Sequence, residues 1–96
     1  MAATAGVVIK RVTALLMKWC RQLEVTSEYQ FTITKVGNDR ISLSTDSFIY
    51  DAIYNPSMGD VPEWGYKKEE EFVALLDKLG WAREHQGGGI LTLYKD

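Results

Sequence analysis

The hydrophobic pattern from Thr4 to about Glu24 predicts an amphipathic helix. Apolar residues recur there at intervals of three and four, a spacing that places them along one side of a helix. They are Val8, Val12, Leu15, Leu16, Trp19 and Leu23. The hydroxyl of Thr4 can accept a hydrogen bond from an unpaired amide of the first turn and so cap the helix start. We therefore expect the first element to be a helix that buries this side.

A β-hairpin is predicted after the helix. Apolar and polar residues alternate on both sides of Gly-Asn-Asp at 37–39, as they do in half-buried strands. Gly and Asn tolerate a positive φ at little cost, so the tripeptide can form the turn. The apolar positions of the two predicted strands are Tyr29, Phe31, Ile33, Ile41 and Leu43.

The segment "SFIYDAIY" at 47–54 fits two patterns. Strand alternation would place Phe48, Tyr50, Ala52 and Tyr54 on one side, whereas a helix would bring together Phe48, Ile49, Ala52 and Ile53. The aromatic content and the short link at 46–47 favour a third strand. A helix remains the alternative.

A second helix and a second hairpin are predicted in the last third of the chain. Phe72, Leu75, Leu76 and Leu79 form a helical stripe, and Gly80 follows it where a left-handed C-terminal cap is wanted. Beyond Gly80, the pattern predicts two short strands joined by "HQGGG". These strands are Trp81–Glu84 and Ile90–Tyr94.

These elements predict an α+β fold in the order α-β-β-β-α-β-β, with an antiparallel sheet and two helices packed on one face. The chain has 96 residues, 46% hydrophobic and 25% charged. This composition is typical of a globular protein, and the length suits one core. We expect a single domain over 1–96.

Composition also indicates where the protein resides. Lys10 and Arg11 interrupt any apolar run near the N-terminus, so neither a secretory signal nor a transmembrane helix is predicted. Cys20 is the single cysteine and cannot form an internal disulfide. We therefore expect a cytoplasmic protein that does not enter a membrane.

The sequence predicts no catalytic site, metal or cofactor. His85 is the only histidine and lies near a glycine run, which is typical of a solvated turn. Cys20 falls near the apolar stripe of the first helix, where a buried, unreactive thiol is common. Carboxylates at 69–71 point in different directions along a helix and indicate a solvated helix start. Glycines at 87–89 lead into a strand, whereas a phosphate cradle leads into a helix.

The first predicted helix carries a candidate basic patch. It consists of Lys10, Arg11, Lys18 and Arg21. Residues 1–50 hold six Lys or Arg against four Asp or Glu, whereas residues 51–96 hold five against nine. Because the pI is near 5.3, nucleic acid is not the expected partner. The opposite charges of the halves can orient a partner protein or a second copy of the chain.

The connection at 55–66 is the candidate partner-binding site. It exceeds the usual loop length, and long loops in compact domains often carry function. Its candidate residues are Met58, Asp60, Val61, Glu63, Trp64 and Tyr66. Trp and Tyr are common anchors of protein interfaces. The alternative, that Trp64 only covers the core, is equally compatible with the sequence.

Two short motifs carry a family resemblance. "YQF" at 29–31 followed by "LLDKLGW" at 75–81 resembles the type III secretion chaperone-like fold of YbjN-type bacterial proteins. The resemblance implies a non-enzymatic protein that binds another polypeptide and dimerises. The chain departs from that pattern by its Pro- and Trp-containing insertion at 55–66 and by lacking a final helix. A likeness to HicA-type RNA-cleaving toxins fails, because Gly88 and Gly89 stand where those toxins place a histidine.

Taken together, these patterns predict a small protein-binding module, chaperone-like or adaptor, without enzymatic activity. The alternative is a compact inhibitor, such as an immunity protein or a phage-encoded antagonist. An inhibitor would use the acidic second half to mask a basic site on an enzyme or a nucleic-acid-binding complex.

Overall fold

The fold is an α+β arrangement of two helices and four antiparallel strands, as expected from the sequence. The computed structural model describes residues 2–22, 31–45, 65–87 and 89–96, with only the backbone of 20, 22 and 65–69. The elements are α1 (Ala5–Gln22), β1 (Phe31–Gly37), β2 (Arg40–Thr45), α2 (Gly65–Leu79), β3 (Trp81–Gly87) and β4 (Ile90–Lys95). The predicted third strand at 47–54 lies outside the described residues.

Helix α1 begins as predicted. The Val7 amide donates to Thr4 Oγ1 over 3.4 Å, and the Val8 amide donates to the Thr4 carbonyl over 3.0 Å. Thr4 is therefore the N-cap, which satisfies amides that have no partner inside the helix. The helix is described as far as Gln22, so the expected continuation to Glu24 lies outside the described residues.

The strands form one sheet in the order β1-β2-β4-β3. Leu43 of β2 lies opposite Ile33 of β1 and opposite Leu91 of β4. Residues directly opposite one another in antiparallel strands share a face, so an apolar row crosses three of the four strands and ends at the exposed His85 of β3. Strand β2 thus has a hydrogen-bonded neighbour on each side.

Both helices cover this apolar face. Helix α1 packs over β1 and β2, and α2 packs over β3. Three large aromatic side chains, Trp19, Phe72 and Trp81, are almost wholly buried between the layers. The other core residues are Ala5, Val8, Val12, Leu16, Ile41, Leu43, Leu76, Leu79, Leu91 and Leu93. Most residues of the predicted stripes therefore lie in the core, whereas Leu15 and Leu75 are half-buried at its edge and Leu23 lies outside the described residues.

The two hairpins differ from expectation in their turns. In the first, Gly37 does not take the positive φ proposed for it, and the register shifts between Lys35 and Gly37 instead. In the second, β3 continues past Glu84 to Gly87, because His85 still pairs with Leu91. The predicted end of that strand was wrong, since a polar sequence can pair on an edge strand without burying its side chains.

A dense junction, here called the Gly80 corner, joins the chain start to α2 and β3. Gly80 has φ 75°, which confirms the predicted left-handed cap. The Ala3 amide donates to the Leu79 carbonyl over 2.8 Å, and the Trp81 indole donates to the Ala3 carbonyl over 2.8 Å. A Cβ added at Gly80 would lie 2.9 Å from Ala2 Cα, so only glycine fits without displacement.

Candidate functional site

The predicted basic patch lies on the outer side of α1. Lys10, Arg11, Lys18 and Arg21 are all exposed, and they fall within an arc of about 100° at the helical turn angle. Helix α1 contains no acidic residue. The cations therefore lie on one side of α1, which faces away from the sheet.

Apolar side chains interrupt this positive surface. Val7 and Met17 are 45% and 42% exposed. Together with Ala14, they lie on the same outer side as the cations. We call this surface the cationic face, and it comprises Val7, Lys10, Arg11, Ala14, Met17, Lys18 and Arg21. Charged and apolar groups together can both attract and bury a partner.

A groove runs between α1 and α2 beside this face. It has a volume of about 310 Å³ and is lined by Arg11, Ala14, Leu15, Lys18, Glu71 and Leu75. Leu15 and Leu75 are half-buried and pack against the core from the groove side. We call it the interhelical groove. Its apolar floor and charged walls can hold an apolar side chain next to a charged one.

Glu71 ties the two walls of the groove together. Lys18 Nζ lies 3.2 Å from Glu71 Oε1, and the Trp19 indole donates to Glu71 Oε2 over 3.3 Å. Trp19 is fully buried and meets Phe72 edge to face, with ring centroids 6.4 Å apart. One carboxylate thus connects a surface cation to the core.

The position of Glu71 corrects one sequence expectation. The run at 69–71 was expected to be a solvated helix start that favours the helix dipole. The first turn of α2 holds no acidic residue, and Glu71 lies beyond it. Its role is a cross-helix contact, which the local run of carboxylates could not indicate.

The groove divides the basic patch into two pairs. Arg11 and Lys18 line the groove, whereas Lys10 and Arg21 do not. Lys18 is engaged by Glu71. Among the residues that the structure describes, Arg11 has no carboxylate within salt-bridge distance. Of the described cations that line the groove, Arg11 is thus the one still available to an external carboxylate.

Most of the predicted loop site lies outside the described residues. This applies to Met58, Asp60, Val61, Glu63 and Trp64. The remaining candidate, Tyr66, lies in α2, which begins at Gly65. Only its backbone is described. The predicted loop therefore ends earlier than expected, because Gly65 and Tyr66 already take helical conformation.

The other candidate residues do not form a site in the described ranges. His85 lies in β3 with an exposed side chain, near the hairpin but inside the strand. Cys20 lies in α1, and its side chain is outside the described part. No three His, Cys, Asp or Glu side chains within the described ranges converge as a metal site would require.

A second cavity lies where α1 begins. It has a volume of about 370 Å³ and is lined by Thr4, Ala5, Gly6, Lys35, Asn38 and Lys95. Only Ala5 of these residues is buried. None of its described lining residues is a large apolar one, so this cavity lacks the apolar floor of the interhelical groove.

Neither of the two described helices is both long enough and apolar enough to cross a membrane. No family model matches the chain, and no curated protein or solved structure matches it either. The resemblance to the YbjN-type family therefore stays a prediction.

Proposed function

We propose that this chain is a non-enzymatic protein-binding module, an adaptor or chaperone-like protein, that holds its partner on the helix layer. The observation that carries the proposal is the cationic face, where Val7 and Met17 stand exposed among four cations without an acidic neighbour on α1. Exposure of an apolar side chain to water is unfavourable, and a bound partner that covers the side chain removes this unfavourable contact.

The same observation favours an adaptor over an inhibitor that masks a basic site. An inhibitor of that kind would present carboxylates, whereas the helix surface that exposes Val7 and Met17 is positive. In α2 the exposed residues Glu70, Asp77 and Lys78 are of mixed charge, and no large apolar residue is exposed among its described side chains. The cationic face is thus the better candidate for recognition.

Co-purification from a lysate, with three forms of the chain as bait, tests the proposal. The variant Met17→Glu places a charge in the cationic face, and Val36→Glu places one on β1, where Val36 is 62% exposed. We expect a stoichiometric protein partner with the unaltered chain and with Val36→Glu. The partner should be reduced about tenfold with Met17→Glu, since a buried unpaired charge is costly at an interface.

Two results would contradict this proposal. If the unaltered chain retains no partner, protein binding is not its function. If Met17→Glu and Val36→Glu retain the partner equally, the cationic face is not the surface used. A parallel Trp64→Ala bait tests whether the predicted loop contributes to the same complex.

A further inference from the structure

We infer that the interhelical groove selects the partner and that it accepts an acidic amphipathic helix. The partner helix would place an apolar side chain between Leu15 and Leu75 and a carboxylate on Arg11. This inference rests on the proposed function and adds the chemical class of the partner segment. It follows from the floor of the groove, from its charges and from the residues that could compete for it.

The floor provides the apolar part of the site. Leu15 and Leu75 are half-buried, so part of each side chain meets solvent inside a groove of about 310 Å³. An apolar side chain placed there would displace water from both leucines. The free energy gained would be proportional to the apolar area removed from water. A purely charged ligand would leave this floor unused.

The two ends of the groove differ in the charge that they offer to a partner. Arg11 lies one helical turn before Leu15, and Lys18 lies about one turn after it. Glu71 already engages Lys18, whereas Arg11 has no carboxylate partner among the described residues. A guanidinium can bind a carboxylate through two parallel hydrogen bonds. Among the described residues of the groove, the available positive charge is therefore at the Arg11 end.

The spacing defines a partner motif. Side chains three or four positions apart on a helix are neighbours on one side. Arg11 and Leu15 have this spacing on α1, so a partner helix lying along the groove needs an acidic and an apolar residue at the same spacing. Acidic residues on that helix also match the positive charge of α1.

A second copy of the chain fits the groove less well. Helix α1 carries four cations and no acid, so two copies of α1 repel each other. The described outer side chains of α2 include no exposed large apolar residue to fill the floor. A different chain with an acidic amphipathic helix satisfies both requirements.

Binding of a synthetic peptide, followed by fluorescence anisotropy, tests the inference. The probe is a helix-forming peptide of about fifteen residues in which Glu and Leu recur four positions apart. In one control peptide Gln replaces Glu, and in another Ala replaces Leu. We expect each control to bind at least about tenfold more weakly, because the groove requires both groups.

Two pairs of variants test the two charges of the groove. Arg11→Gln should weaken the probe about tenfold, and Arg40→Gln, an exposed arginine of β2, should change it less than about twofold. Glu71→Gln should strengthen binding about threefold, because it removes a carboxylate from the wall and leaves an oxygen to accept from Trp19. Glu70→Gln, the exposed neighbour of Glu71, should have little effect.

Several outcomes would overturn the inference. Equal losses for Arg11→Gln and Arg40→Gln would indicate diffuse attraction without a groove site. Full competition by a single-stranded oligonucleotide, with equal binding of the Leu-free peptide, would indicate a polyanion surface. Probe-dependent dimerisation would indicate a second copy. If Arg11→Gln alters the fold, the inference is tested by Glu71→Gln and its control Glu70→Gln, and equal binding of the probe by these two variants would reject it.

Failure of the inference can be separated from failure of the proposed function. A partner that is lost with Met17→Glu but fully retained by Arg11→Gln would keep the proposed function and reject the groove. The peptide titration needs no natural partner. Its result therefore remains informative even if co-purification recovers no protein.

Discussion

At its N-terminal end α1 is tied to the rest of the molecule by backbone hydrogen bonds, whereas near its C-terminal end the tie is a carboxylate at the surface. At the Gly80 corner, the Ala3 amide and carbonyl are both engaged over 2.8 Å, and Trp81 is 1% exposed. At the interhelical groove, Lys18 is 53% exposed and Glu71 33%. The first contact is uncharged and involves the buried Trp81, and the second is charged and partly exposed.

The difference separates stability from recognition. A partly buried backbone group that loses its partner is left incompletely solvated, so exchanging contacts at the Gly80 corner lowers stability. A solvated ion pair contributes little, because water and salt compete with it. Contacts at the groove can therefore be exchanged for those of a partner.

The largest expected effect is at Gly80. Gly80→Ala should lower the free energy of unfolding by about 3 kcal/mol, because a left-handed residue with a Cβ is strained and its Cβ would meet Ala2. Gly87→Ala has a similar φ but open space, and should cost about 1 kcal/mol. Gly6→Ala, in a helix with nothing near, should stabilise by about 0.5 kcal/mol. Urea unfolding measures all three.

Equal losses at Gly80 and Gly87 would show that backbone strain alone acts and that the contact with Ala2 contributes nothing. The contact between Ala2 and the Gly80 corner would then not hold the start of the chain in place.

An intermediate effect is expected from the two buried tryptophans. Trp81→Phe should cost about 1 kcal/mol more than Trp19→Phe, since both lose volume but only Trp81 leaves a partly buried backbone carbonyl without its donor. At Trp19 the partner is Glu71, which water can reach. Thermal and urea unfolding of the two variants give the difference. A larger loss at Trp19 would reverse the proposed ranking of the two ties.

The smallest effect is expected at the ion pair itself. Glu71→Gln should change the free energy of unfolding by less than about 1 kcal/mol, and added salt should reduce that change further. Unfolding in urea at low and high salt measures it. A loss above about 2 kcal/mol would mean that the groove wall is part of the stabilising structure and is not exchangeable.

Periodicity predicted the elements but not their neighbours. The stripes of α1 and α2 and the alternation around Leu43 were sufficient to assign helices, a hairpin and the Gly80 cap. Alternation identifies a buried face, yet it does not say which strand lies beside β2. The pairing of Leu43 with Leu91 joins residues far apart in sequence, and no local signal specifies it.

The candidate site shows the same limit. The basic residues were found from the sequence because they share one helix, and their exposure follows from the apolar stripe opposite them. The groove was missed because it needs α1 beside α2, and the approach of Glu71 to Trp19 is a tertiary contact. The sequence shows that Glu71 and Leu75 lie on one side of α2. It does not show that this side lies next to α1.

The Gly80 corner has one more consequence, for the covalent path of the chain. Ala2 lies against Gly80, and the Asp96 amide donates to the Gly80 carbonyl over 3.0 Å, so both ends of the described chain reach the same residue. A short peptide linker could close the backbone into a ring there without stretching the native fold. Such a ring would restrict the unfolded chain while leaving the opposite, cation-bearing side of α1 untouched.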